Sequence, residues 1–152
     1  DRAAVIAAAE DMAARLHAVE PAAQIDGYLV QEMVSGTEVI VGVREDPQFG
    51  AVMVVGLGGV MVEAMRDVSF RMLPINETDA AEMLDELRGK TVLEAFRGAP
   101  PRDRAALIKA ICGLSALYIN YRQHVIDLEV NPLIVGAEGE GVRAVDVRPV
   151  WS

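Results

Sequence analysis

The sequence predicts a fold of class α+β, in which a mixed or largely antiparallel sheet is flanked by helices. Strong helix formers with apolar residues near helical spacing occupy residues 3–19 and 101–121. Short β-branched and apolar runs, separated by Gly, Ser and Pro, occupy residues 28–73 and the end of the chain. Strands and helices that come in separate groups, without strict alternation, are typical of α+β folds.

The elements are predicted in a definite order. Three helices are expected, at 3–19, at 78–88 with Thr78 as N-cap, and at 101–121 with Asp103 near its start. A short segment at 92–96 lies between the second and third helices. The strands are expected at 28–33, 38–43, 51–56, 68–73, 125–135 and 142–147. The last two strands are joined by the Gly-rich stretch 136–141, which predicts a closing hairpin.

Composition narrows the class of protein. The 152 residues carry a net charge of -9 with a pI near 4.7, which disfavours nucleic acid and anionic membranes as partners. The single Cys112 has no partner for an internal disulfide, which fits a reducing cytoplasm. The apolar runs are broken by Gly and charge before they reach the length of a membrane span.

The start of the sequence predicts a fragment of a longer chain. It opens without an initiator Met, inside an Ala-rich helical pattern. We expect residues 1–26 to be a leading helix from an adjoining lobe and residues 27–152 to be a C-terminal subdomain.

Alternation in the closing hairpin gathers polar side chains on one face. A period of two places Asp127, Glu129 and Asn131 together, opposite the apolar residues of the same strand. In the return strand, Asp146 and Arg148 share a face in the same way. The pattern predicts a continuous polar surface on this hairpin.

The register of the hairpin makes this surface a candidate magnesium site. If the loop glycines are placed symmetrically, Asn131 lies across from Asp146 and Glu129 across from Arg148. Carboxylate and amide oxygens are ligands that suit Mg²⁺ when substrate phosphates complete the coordination. The same periodicity is also typical of an ordinary antiparallel hairpin with one solvent-exposed face. The metal site and the ordinary hairpin therefore both stay open at this point.

Two other segments carry weaker signals. The glycines of residues 56–59 follow an apolar strand and could let backbone amides approach a phosphate, although such clusters are more often tight turns. Residues 31–38 run from the end of a strand through a turn, where a purine and a ribose could meet backbone groups and a carboxylate, or where there is only an exposed acidic turn.

Taken together, these segments resemble the C-terminal part of the ATP-grasp domain of ADP-forming acyl-CoA (acetyl-CoA) synthetases, relatives of the succinyl-CoA synthetase β subunit. The resemblance covers residues 27–149. The matching pieces are residues 27–34, 36–43, 46–50, 56–63, 66–74, 97–98, 127–133 and 144–148.

The resemblance implies an acid-thiol ligase that interconverts acyl-CoA, ADP and phosphate with a carboxylic acid, CoA and ATP through a phosphohistidine. It implies Mg²⁺ and ATP or ADP as cofactors. Glu32, Met33 and Val34 would hold adenine, largely through backbone groups, and Glu38 would bind the ribose hydroxyls.

The same resemblance assigns roles on the hairpin and predicts partners. Asn131 and Asp146 would ligate Mg²⁺, and Glu129 would orient or stabilise the phosphohistidine as a catalytic residue. The histidine would come from a CoA-binding Rossmann-type domain or subunit, CoA and the acid would bind through other domains, and the full-length enzyme would be an oligomer. The family's phosphate-binding Lys, its Gly-rich cover and the phosphohistidine are not evident in these residues, so the isolated fragment is expected to be inactive.

Two alternative functions remain for such a sequence. One is a degenerate or regulatory ATP-grasp module, for example attached to a protein acetyltransferase, that binds nucleotide without turnover. The other is an acidic structural subunit that pairs with a CoA-binding partner. Retention of Glu38, Glu129, Asn131 and Asp146 favours the ligase, since a degenerate domain could lose any of them without unfolding.

Overall fold

The structure is a computed structural model that describes residues 1–58, 67–95, 98 and 100–152. Part of the Gly-rich turn at 56–59, the matching pieces at 60–63, 66 and 97, and part of the short segment at 92–96 lie outside these ranges. Contacts divide the chain into two compact units, Asp1–Met33 and Val34–Ser152.

The first unit contains helix α1 (Arg2–Val19), as predicted. The helix begins at Asp1, whose carboxylate accepts a hydrogen bond of 2.8 Å from the amide of Ala4. None of its residues is buried. After it, His17 Nε2 lies 3.1 Å from the carbonyl oxygen of Ala23 and ties the end of the helix to the following turn.

In the second unit, six strands among the described residues form one antiparallel sheet in the order β3-β2-β1-β4-β5, with β6 also paired to β4. The strands are β1 (Thr37–Asp46), β2 (Gly50–Leu57), β3 (Val68–Met72), β4 (Val125–Val135), β5 (Val142–Ala144) and β6 (Val147–Trp151). The helical segments are α2 (Glu77–Glu86), a 3₁₀ turn (Lys90–Leu93) and α3 (Arg104–Tyr121). The predicted α+β class is confirmed.

One face of the sheet packs against α2 and α3. Alternate residues of β1 and β2 are buried there, because side chains along a strand point to opposite faces. The hydrophobic core between the sheet and the helices consists mainly of Val39, Val41, Val43, Met53, Val55, Met83, Leu84, Leu107 and Ile111. The opposite face of the sheet, here called the outer face, is free of these helices and carries the predicted site.

The strand predicted at 28–33 is wrong. These residues have no regular secondary structure, and Leu29, Val30 and Met33 are exposed. A strand requires a neighbour to satisfy its backbone groups, and no described residue pairs with this segment. The β-branched pattern alone therefore did not decide the structure here.

The strand predicted at 142–147 is divided into β5 and β6. The break lies opposite Asn131 and Pro132 of β4, and Pro132 has no N–H to donate to a neighbouring strand. Two backbone bonds bridge the break: Val145 N–H to the Pro132 oxygen at 3.1 Å, and Asn131 N–H to the Asp146 oxygen at 3.0 Å. The hairpin therefore keeps its register across the interruption.

The helix starts also differ from the prediction. Asn76, and not Thr78, caps α2. Its side chain accepts hydrogen bonds from the amides of Thr78 and Asp79, and the Asp79 carboxylate accepts one from the Asn76 amide. Asp103 is the N-cap of α3.

Among the described residues, no helix combines the length and the apolar character that crossing a membrane requires.

Candidate functional site

Register across the sheet defines which side chains share the outer face. Directly paired residues of neighbouring strands point to the same side. One row runs across five strands, from β3 through β2, β1 and β4 to β6, and consists of Phe70, Val54, Gly42, Glu129 and Arg148. The row is apolar at one end and charged at the other, with a glycine between.

Glu129 is held in place by two donors. Arg148 donates from Nη2 to Glu129 Oε2 at 3.0 Å, and Asn131 donates from Nδ2 to Glu129 Oε1 at 3.1 Å. The predicted pairing of Glu129 with Arg148 is confirmed by the register. Because Nδ2 of Asn131 faces Glu129, its amide oxygen is the atom left free for a ligand.

Asn131 and Asp146 are neighbours at the break between β5 and β6. Their backbones are joined by the 3.0 Å bond described above, which agrees with the predicted register, and both residues are exposed. An amide oxygen and a carboxylate fit Mg²⁺, which keeps several waters and uses phosphate oxygens as further ligands. Within the described ranges no group of three or more His, Cys, Asp and Glu is arranged to hold a metal, so a nucleotide would have to complete this site.

Glu38 lies on the outer face near the start of β1 and is exposed. It pairs with Ile134, three positions beyond Asn131 on β4.

Gly58 fixes the backbone at Glu38. The Gly58 amide donates to the Glu38 carbonyl oxygen at 2.6 Å. A Cβ at position 58 would lie 2.5 Å from Glu38 Cβ and 2.8 Å from its carbonyl carbon, so only glycine permits this approach. The Gly-rich turn thus has a structural reason at this position.

The predicted adenine segment is divided between the two units. Glu32 and Met33 belong to the first unit and are exposed, whereas Val34 belongs to the second and is half-buried. All three lie outside helices and strands. The role of these three residues stays a prediction.

Asp103 anchors the loop of the hairpin to the start of α3. Its Oδ1 accepts from the Ala106 amide, and its Oδ2 accepts from the amides of Gly139 and Gly141, all at 3.0 Å. These backbone bonds lower the pKa of the Asp103 carboxyl, with the Ala106 bond as the largest cause. The Asp103 amide also donates to the Gly136 oxygen at 3.0 Å.

Tyr118 anchors the other end of β4. Its buried hydroxyl lies 2.9 Å from the carbonyl oxygen of Ile126 and 3.0 Å from Glu45 Oε2. Burial, followed by the hydrogen bond to Glu45, raises the pKa of Tyr118 to about 12. Helix α3 therefore contacts the hairpin at both ends.

Sequence reasoning missed several residues that support the site. Asp103 was recognised only as a residue near the helix start, and its bonds to loop glycines 36 and 38 residues away leave no local pattern. Gly42 was read as part of a strand. The one available signal was a glycine in a strand interior, which often marks a close approach of backbone or ligand.

Comparison with known proteins identifies the class. A family model described as an ATP-grasp domain matches residues 1–150, and the chain belongs to this family.

Two relatives refine the comparison. The β subunit of ADP-forming acetate–CoA ligase II from Pyrococcus furiosus is 40% identical over 129 residues, which cover 84% of this chain and 55% of the relative. ADP-forming acetate–CoA ligase I from Archaeoglobus fulgidus is 41% identical over 131 residues, which cover 86% of this chain and 19% of the relative. The chain thus spans about half of a β subunit and about a fifth of a longer chain.

A solved structure agrees with these relatives. Acetyl-coenzyme A synthetase 1 from Candidatus Korarchaeum cryptofilum, in complex with coenzyme A and Mg-AMPPCP, matches with a TM-score of 0.73 and 36% identity. The match covers 79% of this chain and 55% of that chain. In that protein a phosphohistidine segment points towards the nucleotide-binding site.

Proposed function

We propose that this chain is part of the nucleotide-binding domain of an ADP-forming acyl-CoA synthetase, which interconverts acyl-CoA, ADP and phosphate with a carboxylic acid, CoA and ATP. The observation that carries the proposal is the hairpin, where the Asn131 side chain bonds to Glu129 and the Asn131 backbone bonds to that of the exposed Asp146. Relatives and a solved structure of this class support it.

The proposed roles follow from the donor and acceptor atoms. The amide oxygen of Asn131 and the carboxylate of Asp146 hold Mg²⁺ together with nucleotide phosphates. Bound there, the metal neutralises charge on the phosphoryl group. Glu129 uses its remaining lone pairs to accept from, and so orient, the histidine that receives the phosphoryl group. The protein's contribution is positioning and fixed charge.

The nucleoside end of the site is the second part of the proposal. Glu38 binds the ribose hydroxyls, and the segment Glu32, Met33 and Val34 holds adenine through backbone groups. The fixed position of the Glu38 backbone against Gly58 supports the ribose role, since a carboxylate that orients a ligand needs a rigid backbone beneath it.

Domain organisation and partners complete the proposal. Residues 1–26 belong to an adjoining ATP-grasp lobe and residues 27–152 form the C-terminal subdomain. The division of the chain into the units Asp1–Met33 and Val34–Ser152 supports a boundary that follows the opening helix. A CoA-binding Rossmann-type domain or subunit binds CoA and carries the phosphohistidine. The full-length enzyme is a cytoplasmic oligomer.

The test is CoA-dependent ADP release from ATP and Mg²⁺ by the full-length protein together with its CoA-binding domain or subunit, across a panel of short carboxylic acids. We expect turnover with at least one acid. Asp146→Ala should reduce it by at least ~10²-fold, because a charged ligand of the metal is lost. Glu138→Ala is the matched control, since it removes an exposed carboxylate from the same hairpin.

The outcomes separate the functions. Turnover that is lost in Asp146→Ala and retained in Glu138→Ala supports the ligase and identifies its acid. Equal turnover in both variants would show that Asp146 does not bind the metal. Well-folded wild-type protein that binds ATP but turns over no acid would contradict the ligase and indicate a nucleotide-binding module.

A further inference from the structure

We infer that Gly42 is a clearance residue: its missing side chain leaves the space through which the imidazole ring of the phosphorylated histidine reaches Glu129. The inference rests on the proposed function, and it adds a residue that determines access to the same site. It is drawn from three observations on the outer face.

The first observation is position. Gly42 of β1 is paired directly with Glu129 of β4 on one side and with Val54 of β2 on the other. Neighbouring strands lie about 4.8 Å apart, so a side chain at position 42 would stand immediately beside the Glu129 carboxylate. Gly42 itself is buried.

The second observation is that neither backbone conformation nor a direct clash requires glycine here. Gly42 is not among the described glycines with positive φ. An added Cβ would lie 3.3 Å from the Leu128 carbonyl oxygen and no closer than 3.7 Å to Glu129, so a methyl group requires the paired strand to give by a few tenths of an ångström. A glycine inside a strand costs roughly 0.5–1 kcal/mol relative to alanine.

Gly56 in β2 and Gly58 just after it show the contrast. At Gly56 a Cβ would lie 2.8 Å from Val68 Cγ1, and at Gly58 it would lie 2.5 Å from Glu38 Cβ. Those positions exclude a side chain by direct clash. Gly42 differs from both, since its nearest contact would be 3.3 Å and its direct partner on β4 is Glu129.

The third observation is the chemistry of the surroundings. Position 42 has Glu129 on one side, and Val54 followed by Phe70 on the other. An imidazole ring has an N–H that can donate to a carboxylate and an apolar face that can pack on aliphatic side chains. A branched side chain at position 42 would occupy the space that such a ring needs.

The experiment compares Gly42→Ala and Gly42→Val in the full-length protein with its CoA-binding domain or subunit. Histidine phosphorylation is measured from γ-labelled ATP and Mg²⁺ as acid-labile label, and affinity for Mg-ATP is measured separately. We expect phosphorylation to fall by about tenfold in Gly42→Ala and by at least ~10²-fold in Gly42→Val, because small displacements of reacting groups have effects of this size. Nucleotide affinity should be unchanged in both.

Gly113→Ala is the matched control. It makes the same chemical change at an exposed position in α3, where nothing lies within 4 Å of the added Cβ, and it should leave phosphorylation unchanged. Phosphorylation at the wild-type rate in Gly42→Val would overturn the inference. So would a parallel loss of nucleotide affinity or of folding in Gly42→Ala, which would make Gly42 a structural glycine. A wild-type protein that is never labelled would instead overturn the proposed function itself.

Discussion

Glu129→Gln tests whether the proposed catalytic carboxylate, Glu129, controls the orientation of the proposed metal ligand, Asn131. Glu129 accepts two hydrogen bonds through two different oxygens, from Arg148 and from Asn131. Glutamine offers one oxygen and one NH₂ group. The charged donor Arg148 makes the stronger bond and should take the oxygen, which leaves the NH₂ group facing Asn131. The Asn131 amide then turns its own oxygen towards Gln, away from the metal.

The size of the effect follows from the bond that Asn131 must give up to bind the metal. In this variant that bond joins the Asn131 oxygen to the neutral NH₂ group of the glutamine, and a hydrogen bond between neutral groups contributes about 0.5–1.5 kcal/mol. Since 1.4 kcal/mol corresponds to a factor of ten, the apparent affinity for Mg²⁺ in the nucleotide complex should fall by about two- to tenfold. Stability should change by less than about 1 kcal/mol, because the ion pair with Arg148 is exposed.

The assay is a Mg²⁺ titration of nucleotide binding and of histidine phosphorylation. Arg148→Leu should leave the Mg²⁺ requirement unchanged, since it keeps the bond between Asn131 and Glu129. The double variant Glu129→Gln/Arg148→Leu frees the glutamine oxygen for Asn131 and should restore the Mg²⁺ requirement, although phosphorylation stays slow without the carboxylate. A Glu129→Gln protein with the wild-type Mg²⁺ requirement would refute the coupling.

Two further predictions concern the anchors of the hairpin. Tyr118→Phe keeps the packing of the ring but removes the hydroxyl, whose single proton is donated to either Glu45 Oε2 or the Ile126 oxygen, and denaturant unfolding should show a loss of roughly 1–3 kcal/mol. Burial and Glu45 raise the folded-state pKa of Tyr118 to about 12. The hydroxyl's contribution to the free energy of unfolding is therefore full below pH about 10 and is lost as the pH rises towards 12. A wild-type protein that is still more stable than Tyr118→Phe at pH 12 would contradict this. Asp103→Asn should lower the midpoint of unfolding, since the folded-state pKa of Asp103 is depressed by the bonds to Ala106, Gly141 and Gly139. That stabilisation is present above the carboxyl's unfolded pKa and disappears as the pH falls through the folded value, so a difference independent of pH would argue against it.

Local periodicity was sufficient for most of the elements. The helices at α1 and α3 and the strands β1 to β4 appear where spacing and alternation predicted them. The polar face of the hairpin followed from two rules, a period of two and a symmetric loop, and the observed pairs Glu129 with Arg148 and Leu133 with Ala144 obey both. A two-stranded arrangement of this kind is specified almost entirely by residues close in sequence.

What sequence reasoning missed depends on distant partners. Residues 28–33 have the composition of a strand, yet a strand forms only when another strand satisfies its backbone. The bond from Tyr118 to Glu45 joins residues 73 positions apart, and Asp103 reaches across to the hairpin loop. Pro132 was visible in the sequence, but the break that it makes lies in the opposite strand and is apparent only once the register is known.

Helix α3 holds the hairpin at two points, through Asp103 at the loop and through Tyr118 at the start of β4. The intervening strand residues, which include Glu129 and Asn131, lie between these two anchors. The spacing of the site along the sheet is therefore set by the length of a helix that contributes no ligand to it. Because both anchors lie on one helix, a change that breaks either of them would shift one end of the proposed site relative to the other.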